Sequence, residues 1–126
     1  MLLNPLNFHT PKTLDEASDL YSRLENVRIQ AGGTFLLNAL KLLKKKGAKT
    51  PENIISLRKI PELRGLEKTD QGLVIKAMTT IDEIFDASEL IDNFAVLKTV
   101  CKNISTQPIR NMATVGGNLT CRYTWT

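Results

Sequence analysis

The sequence is poor in the residues that build metal sites and catalytic centres. Its 126 residues include a single histidine, His9, and only two cysteines, Cys101 and Cys121. The cysteines do not form a CxxC motif, and an iron–sulfur cluster requires four thiolate ligands. No Ser/His/Asp or Cys/His arrangement is evident, and no pair of carboxylates has a spacing that indicates catalysis. We therefore predict neither a metal site nor a catalytic residue in this chain.

Aromatic residues and long apolar runs are also scarce. Aromatic residues make up 6% of the chain, and 17 basic residues stand against 13 acidic ones, for a net charge of +4. The densest basic run lies at the end of one predicted helix, where cations complement the helix dipole: Lys41, Lys44, Lys45, Lys46 and Lys49. No aromatic residue interleaves with these lysines, so we predict no nucleic-acid binding. We expect no signal peptide and no membrane span, and two isolated cysteines indicate a reducing, cytoplasmic setting.

What the sequence does contain is two pairs of adjacent glycines. The second pair, Gly116-Gly117, lies in the run 107–118 after a β-prone step at residues 113–115. Glycine allows backbone conformations that other residues avoid, and such a turn can direct several peptide N–H groups at one anion. Thr114 and Asn118 are side-chain donors on its flanks. The pattern predicts a phosphate-binding nest, with a tight turn or β-bulge that binds no ligand as the alternative.

The first pair, Gly32-Gly33, follows an apolar step at Val27 and Ile29 and precedes an apolar-periodic helix. The N-terminus of a helix carries partial positive charge and peptide N–H groups without helical partners. A glycine-rich loop at that point is therefore a phosphate site in its own right. Two such loops predict a single ligand with two linked phosphates, a pyrophosphate.

These loops resemble those of a known family, the FAD-binding subunits or domains of the molybdenum hydroxylases, such as xanthine dehydrogenase and carbon monoxide dehydrogenase. That family pairs a loop of the form A-G-G-T-D-L-L with one of the form Q-I-R-N-x-A-T-I-G-G-N. This chain has A-G-G-T-F-L-L at residues 31–37 and Q-P-I-R-N-M-A-T-V-G-G-N at residues 107–118. The similarity also covers residues 8–17, 60–65 and 76–80. Phe35 stands where the family often has an aspartate.

The resemblance implies an α+β fold of the FAD-binding PCMH type, which is related to vanillyl-alcohol oxidase and consists of two small subdomains. We expect a βαβ subdomain at residues 1–57 and the start of a second α+β subdomain at residues 58–126. The family's flavoprotein module is considerably longer than this chain. The second subdomain is therefore expected to be incomplete, and the chain to be a truncated form of the module.

The resemblance also implies FAD as the cofactor and carries the family's flavin contacts onto both loops: Ala31, Gly32, Gly33, Thr34, Phe35, Leu36, Thr114, Val115, Gly116, Gly117 and Asn118. It implies a subunit that passes electrons between iron–sulfur clusters and an external acceptor, with a molybdopterin-binding large subunit and an iron–sulfur small subunit as partners. Two alternatives stay open. One is an interaction module that keeps the fold without a cofactor, and the less favoured one is a basic nucleic-acid-binding domain.

Periodicity predicts strands at residues 6–10, 27–31 and 53–57 and a hairpin at 66–77. Helices are predicted after capping boxes at Thr13 and Thr80, and at residues 34–46 and 93–104. An unpaired strand edge near Leu119 would favour a homo-oligomer or require a partner. Arg110 is interpreted either as a cation for the pyrophosphate or as a brace for the loop through an acidic residue. Cys101 is predicted to be a small apolar filler rather than a reactive thiol.

Overall fold

The computed structural model describes residues 3–87 and 94–121. The chain divides into two compact units, Met1–Glu62 and Leu63–Thr126, whereas the sequence analysis places the boundary at Leu57. No helix in the described part of the chain has the length and apolar character needed to cross a membrane. No group of three or more His, Cys, Asp or Glu side chains within residues 3–87 and 94–121 is arranged to hold a metal ion.

The first unit is built around a three-stranded parallel sheet. Its elements, in chain order, are β1 (Asn7–His9), α1 (Leu14–Arg23), β2 (Val27–Gln30), α2 (Leu36–Lys45) and β3 (Asn53–Ser56). The strand order is β1-β3-β2, so β3 lies in the centre and all four of its residues are buried. The predicted βαβ opening is present, because both crossovers contain a helix, as parallel strands require.

A local signal explains why α1 begins where it does. The Thr13 side chain accepts the Glu16 N–H at 3.1 Å, which caps α1 at the predicted position.

The core of the first unit is formed by residues of both helices and of the central strand. Ala17 of α1 and Leu40 of α2 are the buried residues of these helices, and Ile54 and Ile55 of β3 are buried with them. An apolar cavity of about 70 Å³ lies between α2 and the sheet.

The described part of the second unit, residues 63–87 and 94–121, combines a hairpin with four short helices. A 3-10 turn at Pro61–Leu63 leads into it, and the elements that follow are β4 (Leu66–Thr69), β5 (Gly72–Ile75), α3 (Ile81–Asp86), α4 (Ala95–Lys102), α5 (Gln107–Arg110) and α6 (Val115–Thr120). β4 and β5 pair antiparallel, as predicted. The core contains Ile81, Ile84, Cys101 and Ala113, with partly buried side chains of the hairpin and of α4 around them.

The structure differs from the sequence prediction around the second glycine pair. Residues 113–115 do not form a strand: Thr114 makes an isolated bridge to Thr80, and the glycines lie inside α6. Leu119, where an unpaired strand edge was expected, is 81% exposed in that helix. The strand-edge argument for self-association is therefore wrong, because the backbone there is helical.

One further helix is shorter than predicted, and one helical turn was not predicted. The helix predicted at residues 93–104 begins at Ala95 and ends at Lys102, and Asn93 lies outside the described residues. The run that opens the second motif, for which no secondary structure was predicted, forms a helical turn at Gln107–Arg110 with Pro108 near its start. Proline is compatible with that position, because the first residues of a helix have no helical acceptor for their N–H groups.

Candidate cofactor-binding loops

The loop between β2 and α2, here called the first loop (residues 31–36), requires glycine at one position. Gly33 has φ +77°, in the left-handed region that side chains with a Cβ rarely adopt. A Cβ on Gly33 would also lie 2.7 Å from Nε2 of Gln30. The Gln30 side chain can rotate away from such a Cβ, so it is the positive φ that makes the loop depend on glycine.

The first loop ends at a helix N-terminus that lacks a side-chain cap. Phe35 is the N-cap residue of α2 and makes no side-chain capping hydrogen bond, and the first turn of α2 contains no acidic residue. Within residues 3–87 and 94–121, the peptide N–H groups of Gly32, Gly33 and Thr34 donate to no backbone acceptor. Donors with these properties suit an anion, because the helix dipole adds favourable potential at the same place.

The second loop, residues 114–118, is arranged differently. The N–H of Val115 donates to the carbonyl of Thr79 at 3.0 Å, and that of Gly116 to the carbonyl of Ala77 at 2.9 Å. The next two N–H groups bond to Thr114: that of Gly117 to Oγ1 at 3.2 Å, and that of Asn118 to the carbonyl at 3.0 Å. The interpretation of this loop as a nest of available N–H donors is wrong, because the protein itself supplies their acceptors.

The glycines of the second loop also differ from expectation. Neither Gly116 nor Gly117 has a positive φ, in contrast to Gly33. Gly116 is explained by close packing, since a Cβ there would lie 2.8 Å from the carbonyl oxygen of Ala77 and 2.9 Å from its Cβ. Asn118 is exposed on the same turn of α6. Gly117 and the Asn118 side chain are therefore the parts of this loop that a ligand can approach.

Arg110 braces the backbone, but not through an acidic residue. Its Nη1 donates to the carbonyls of Lys102, Ile104 and Ser105 at 3.2–3.3 Å. These carbonyls lie at the end of α4 and in the turn after it, where a cation offsets the negative end of the helix dipole. The structure thus favours the bracing role over direct contact with a pyrophosphate.

Cys101 is a core residue, as predicted. Its side chain belongs to the core of the second unit and is 4% exposed. Burial raises the pKa of the thiol, and the positive charge of Arg110 only partly opposes this effect. A buried thiol with a raised pKa is a poor nucleophile, which agrees with a packing role.

The sequence analysis predicted the capping box at Thr80 but gave no structural role to Thr79 or Arg64. Thr79 is 0% exposed, and its hydroxyl bonds to the backbone of Gly65. Arg64 pairs with Glu83, whose side chain completes the capping box of Thr80. Arg64 and Thr79 lie in the stretches 60–65 and 76–80, and the family resemblance of those stretches was the available signal.

Comparison with known proteins decides what the two loops belong to. Residues 4–124 match the family described as the FAD binding domain in molybdopterin dehydrogenase. The chain belongs to this family. FAD is the cofactor of this domain, and the α+β fold class and the resemblance drawn from the two loops are confirmed.

Individual relatives agree with the family assignment. The chain is 32% identical over 113 residues to the carbon monoxide dehydrogenase medium chain of Hydrogenophaga pseudoflava, covering 89% of this chain and 38% of the relative. It is 29% identical over 119 residues to the nicotinate dehydrogenase FAD-subunit of Eubacterium barkeri, covering 93% and 39%. The FAD domain described here thus spans about two fifths of the length of these relatives.

Solved structures show the same fold. The carbon monoxide dehydrogenase of H. pseudoflava superimposes with a TM-score of 0.86 at 31% identity, over 94% of this chain and 40% of that one. Quinoline 2-oxidoreductase from Pseudomonas putida 86 gives a TM-score of 0.85 at 25% identity, with the same coverage. The predicted residues of the first loop are contiguous in the first unit, and those of the second loop lie at the start of α6 in the second unit.

Proposed function

We propose that this FAD domain is part of the electron-transfer subunit of a molybdopterin-dependent dehydrogenase or hydroxylase. In this proposal it passes electrons between iron–sulfur clusters and an external acceptor, in a reducing, cytoplasmic setting. Its partners are a molybdopterin-binding large subunit and an iron–sulfur small subunit. The support is family membership together with relatives that are named medium chains and FAD-subunits of dehydrogenases. Bound flavin supplies the electron chemistry, while the chain binds and orients it.

The first loop carries the proposal. Its N–H groups at Gly32, Gly33 and Thr34 meet an uncapped helix start with no carboxylate in the first turn, so the loop can donate to the pyrophosphate of FAD. Phe35 and Leu36 continue the backbone into α2. An aspartate at position 35 would place a negative charge beside the phosphates, and Phe35 avoids that repulsion.

The second loop contributes in another way. Its N–H groups hold α6 against the segment 77–79, so we propose that Thr114, Val115 and Gly116 shape the loop rather than donate to phosphate. Gly117 and Asn118 then face the ligand, with the Asn118 amide as the side-chain donor. This division assigns every predicted residue of the second loop either to positioning or to contact.

The test compares two glycines with similar backbone conformations. Gly33 has φ +77° and Gly47, which ends α2, has φ +68°. Alanine at either position is strained by about 1 kcal/mol. Only Gly33→Ala also alters the first loop, so we expect it to weaken FAD binding about tenfold or more. Gly47→Ala should leave FAD binding unchanged, since a Cβ on Gly47 has no atom within 4 Å.

The measurement is titration of the purified protein with FAD, followed by flavin fluorescence, with thermal unfolding of each variant as the stability control. Equal loss of affinity in both variants would assign the effect to general destabilisation and contradict the role of the first loop. A parent protein that binds no FAD would favour the cofactor-free interaction module instead.

A further inference from the structure

The segment 76–80 crosses the second unit between two other stretches of backbone. On one side, the N–H of Met78 donates to the carbonyl of Leu63 at 2.8 Å. On the other side, the carbonyls of Ala77 and Thr79 accept the N–H groups of Gly116 and Val115. Whatever fixes this segment therefore also fixes the second loop.

Thr79 supplies that fixation through its side chain. Its Oγ1 accepts the N–H of Gly65 at 3.0 Å and donates to the carbonyl of Gly65 at 2.9 Å. The hydroxyl thus uses both its donor and one of its acceptor positions on a single residue, and the side chain is 0% exposed. Gly65 itself has φ +132°, which other residues rarely adopt.

We infer that Thr79 is a positioning residue for the cofactor: its hydroxyl holds Gly65, its carbonyl holds Val115, and the second loop takes its place from this connection. The inference rests on the proposed function, in which that loop contacts FAD. Thr79 itself touches neither Gly117 nor Asn118 through any hydrogen bond in the described residues, so it acts through the backbone of the second loop.

Removing the Thr79 hydroxyl affects the carbonyl and the N–H group of Gly65 differently. The Gly65 carbonyl keeps a partner, because it also accepts the N–H of Lys76 at 3.0 Å. The Gly65 N–H loses the acceptor that Thr79 provides. A partly buried donor without a partner is costly, so the segment should shift or fluctuate to recover a hydrogen bond. That movement reaches Val115 and Gly116 through the carbonyls they depend on.

The experiment compares two substitutions of Thr79 that remove different groups of its side chain. Thr79→Val keeps the shape of the side chain and removes the hydroxyl, whereas Thr79→Ser keeps the hydroxyl and removes a methyl group. Thr69→Val is a control in the same unit, because the Thr69 hydroxyl donates to the Gly72 carbonyl at 3.0 Å in the hairpin turn. Amide hydrogen exchange at Val115 and Gly116 is measured against the interior of α4, and FAD affinity is measured by fluorescence titration.

In Thr79→Val we expect exchange at Val115 and Gly116 to accelerate about tenfold relative to α4, and the Kd for FAD to rise about tenfold. Thr79→Ser and Thr69→Val should leave both quantities near the parent values. Uniform acceleration over the whole second unit, or equal effects of the valine and serine variants, would overturn the inference. If exchange at Val115 and Gly116 accelerates as expected but the parent protein binds no FAD, the proposed function is refuted. The conclusion that Thr79 positions the second loop is then retained.

Discussion

At the scale of single residues, the glycines of the two loops perform different physical tasks. Gly33 is required by its backbone conformation, with φ +77°. Gly116 is required by proximity, because the carbonyl of Ala77 leaves no space for a Cβ. The same pair of letters in the sequence therefore indicates a left-handed turn in one loop and close packing of a helix in the other.

The close packing of Gly116 against Ala77 predicts that alanine at position 116 destabilises the protein, although alanine usually stabilises a helix relative to glycine. Replacing a glycine inside a helix by alanine ordinarily stabilises it by about 1 kcal/mol. At Gly116 the added Cβ would lie 2.8 Å from a backbone oxygen that cannot rotate away, so we expect Gly116→Ala to destabilise by about 1–3 kcal/mol. Urea denaturation measures the difference.

Asn118→Ala is the matched control for this prediction. Asn118 is exposed in the same helix, so alanine there should be neutral or slightly stabilising. A Gly116→Ala variant that gains stability as Asn118→Ala does would show that α6 can move away from Ala77.

At the scale of elements, the described helices differ in how the peptide N–H groups at their starts are satisfied. Thr13, Thr80 and Thr114 each cap a helix with a hydroxyl that accepts a peptide N–H. α2, α4 and α5 begin without a side-chain cap, and of these three only α2 directly follows a glycine pair. A bound phosphate can accept N–H groups at the start of α2, as threonine hydroxyls do in α1, α3 and α6.

The start of α3 has a pH dependence that can be derived from its contacts. Burial alone would raise the pKa of Glu83, but hydrogen bonds from Arg64 and from the Thr80 N–H, together with the charge of Arg64, outweigh burial and lower it. A carboxyl whose pKa is lowered by folding stabilises the fold at neutral pH. That contribution is lost as the pH falls through the lowered value, below the ordinary range of a glutamate.

We therefore expect the parent protein to lose more stability on acidification than Glu83→Gln, which keeps an acceptor for Thr80 but has no charge to titrate. At neutral pH, the difference in stability between the parent protein and Glu83→Gln should be small and should decrease with salt. The reason is that the side chains of Arg64 and Glu83 are 59% and 36% exposed. Thermal unfolding at neutral and acidic pH measures it, with Arg64→Met as the partner variant. Parallel pH curves for parent and Glu83→Gln would refute the assignment.

At the scale of the whole molecule, the chain spans about two fifths of its relatives and includes both glycine loops. The donors of the first loop suit a diphosphate, which FAD shares with ADP. The part of FAD that ADP lacks includes the isoalloxazine ring, whereas the donors assigned in the first loop are the ones proposed to bind the diphosphate. Recognition by this chain should thus centre on the diphosphate.

This view predicts the ligand preference of the chain. ADP should compete with FAD for the protein, whereas riboflavin, which has the ring but no phosphate, should not. Calorimetry with the three ligands measures the ranking, and the Gly33→Ala variant should lose ADP and FAD together. Tight binding of riboflavin would move the main recognition from the first loop to the ring.

Much of the fold could be read from local patterns. The sheet strands, the hairpin and the Thr13 and Thr80 caps follow from apolar periodicity and from capping boxes, which involve residues a few positions apart. The prediction failed at residues 113–119, where β-prone residues and glycines fold as a bridge and a helix. There the Ala77 and Thr79 carbonyls decide the conformation, and tertiary contacts override local propensity.

The sequence by itself determined the family, the cofactor and the positions of both glycine pairs, because these depend on residue type and spacing along the chain. Only the tertiary structure decided how each loop uses its N–H groups. The acceptors of the second loop come from the segment 77–79, far away in the sequence, and a peptide donor already bonded there cannot also bind phosphate. Among the described residues, the N–H groups of Gly32, Gly33 and Thr34 in the first loop have no backbone acceptor, which leaves them available for the proposed ligand.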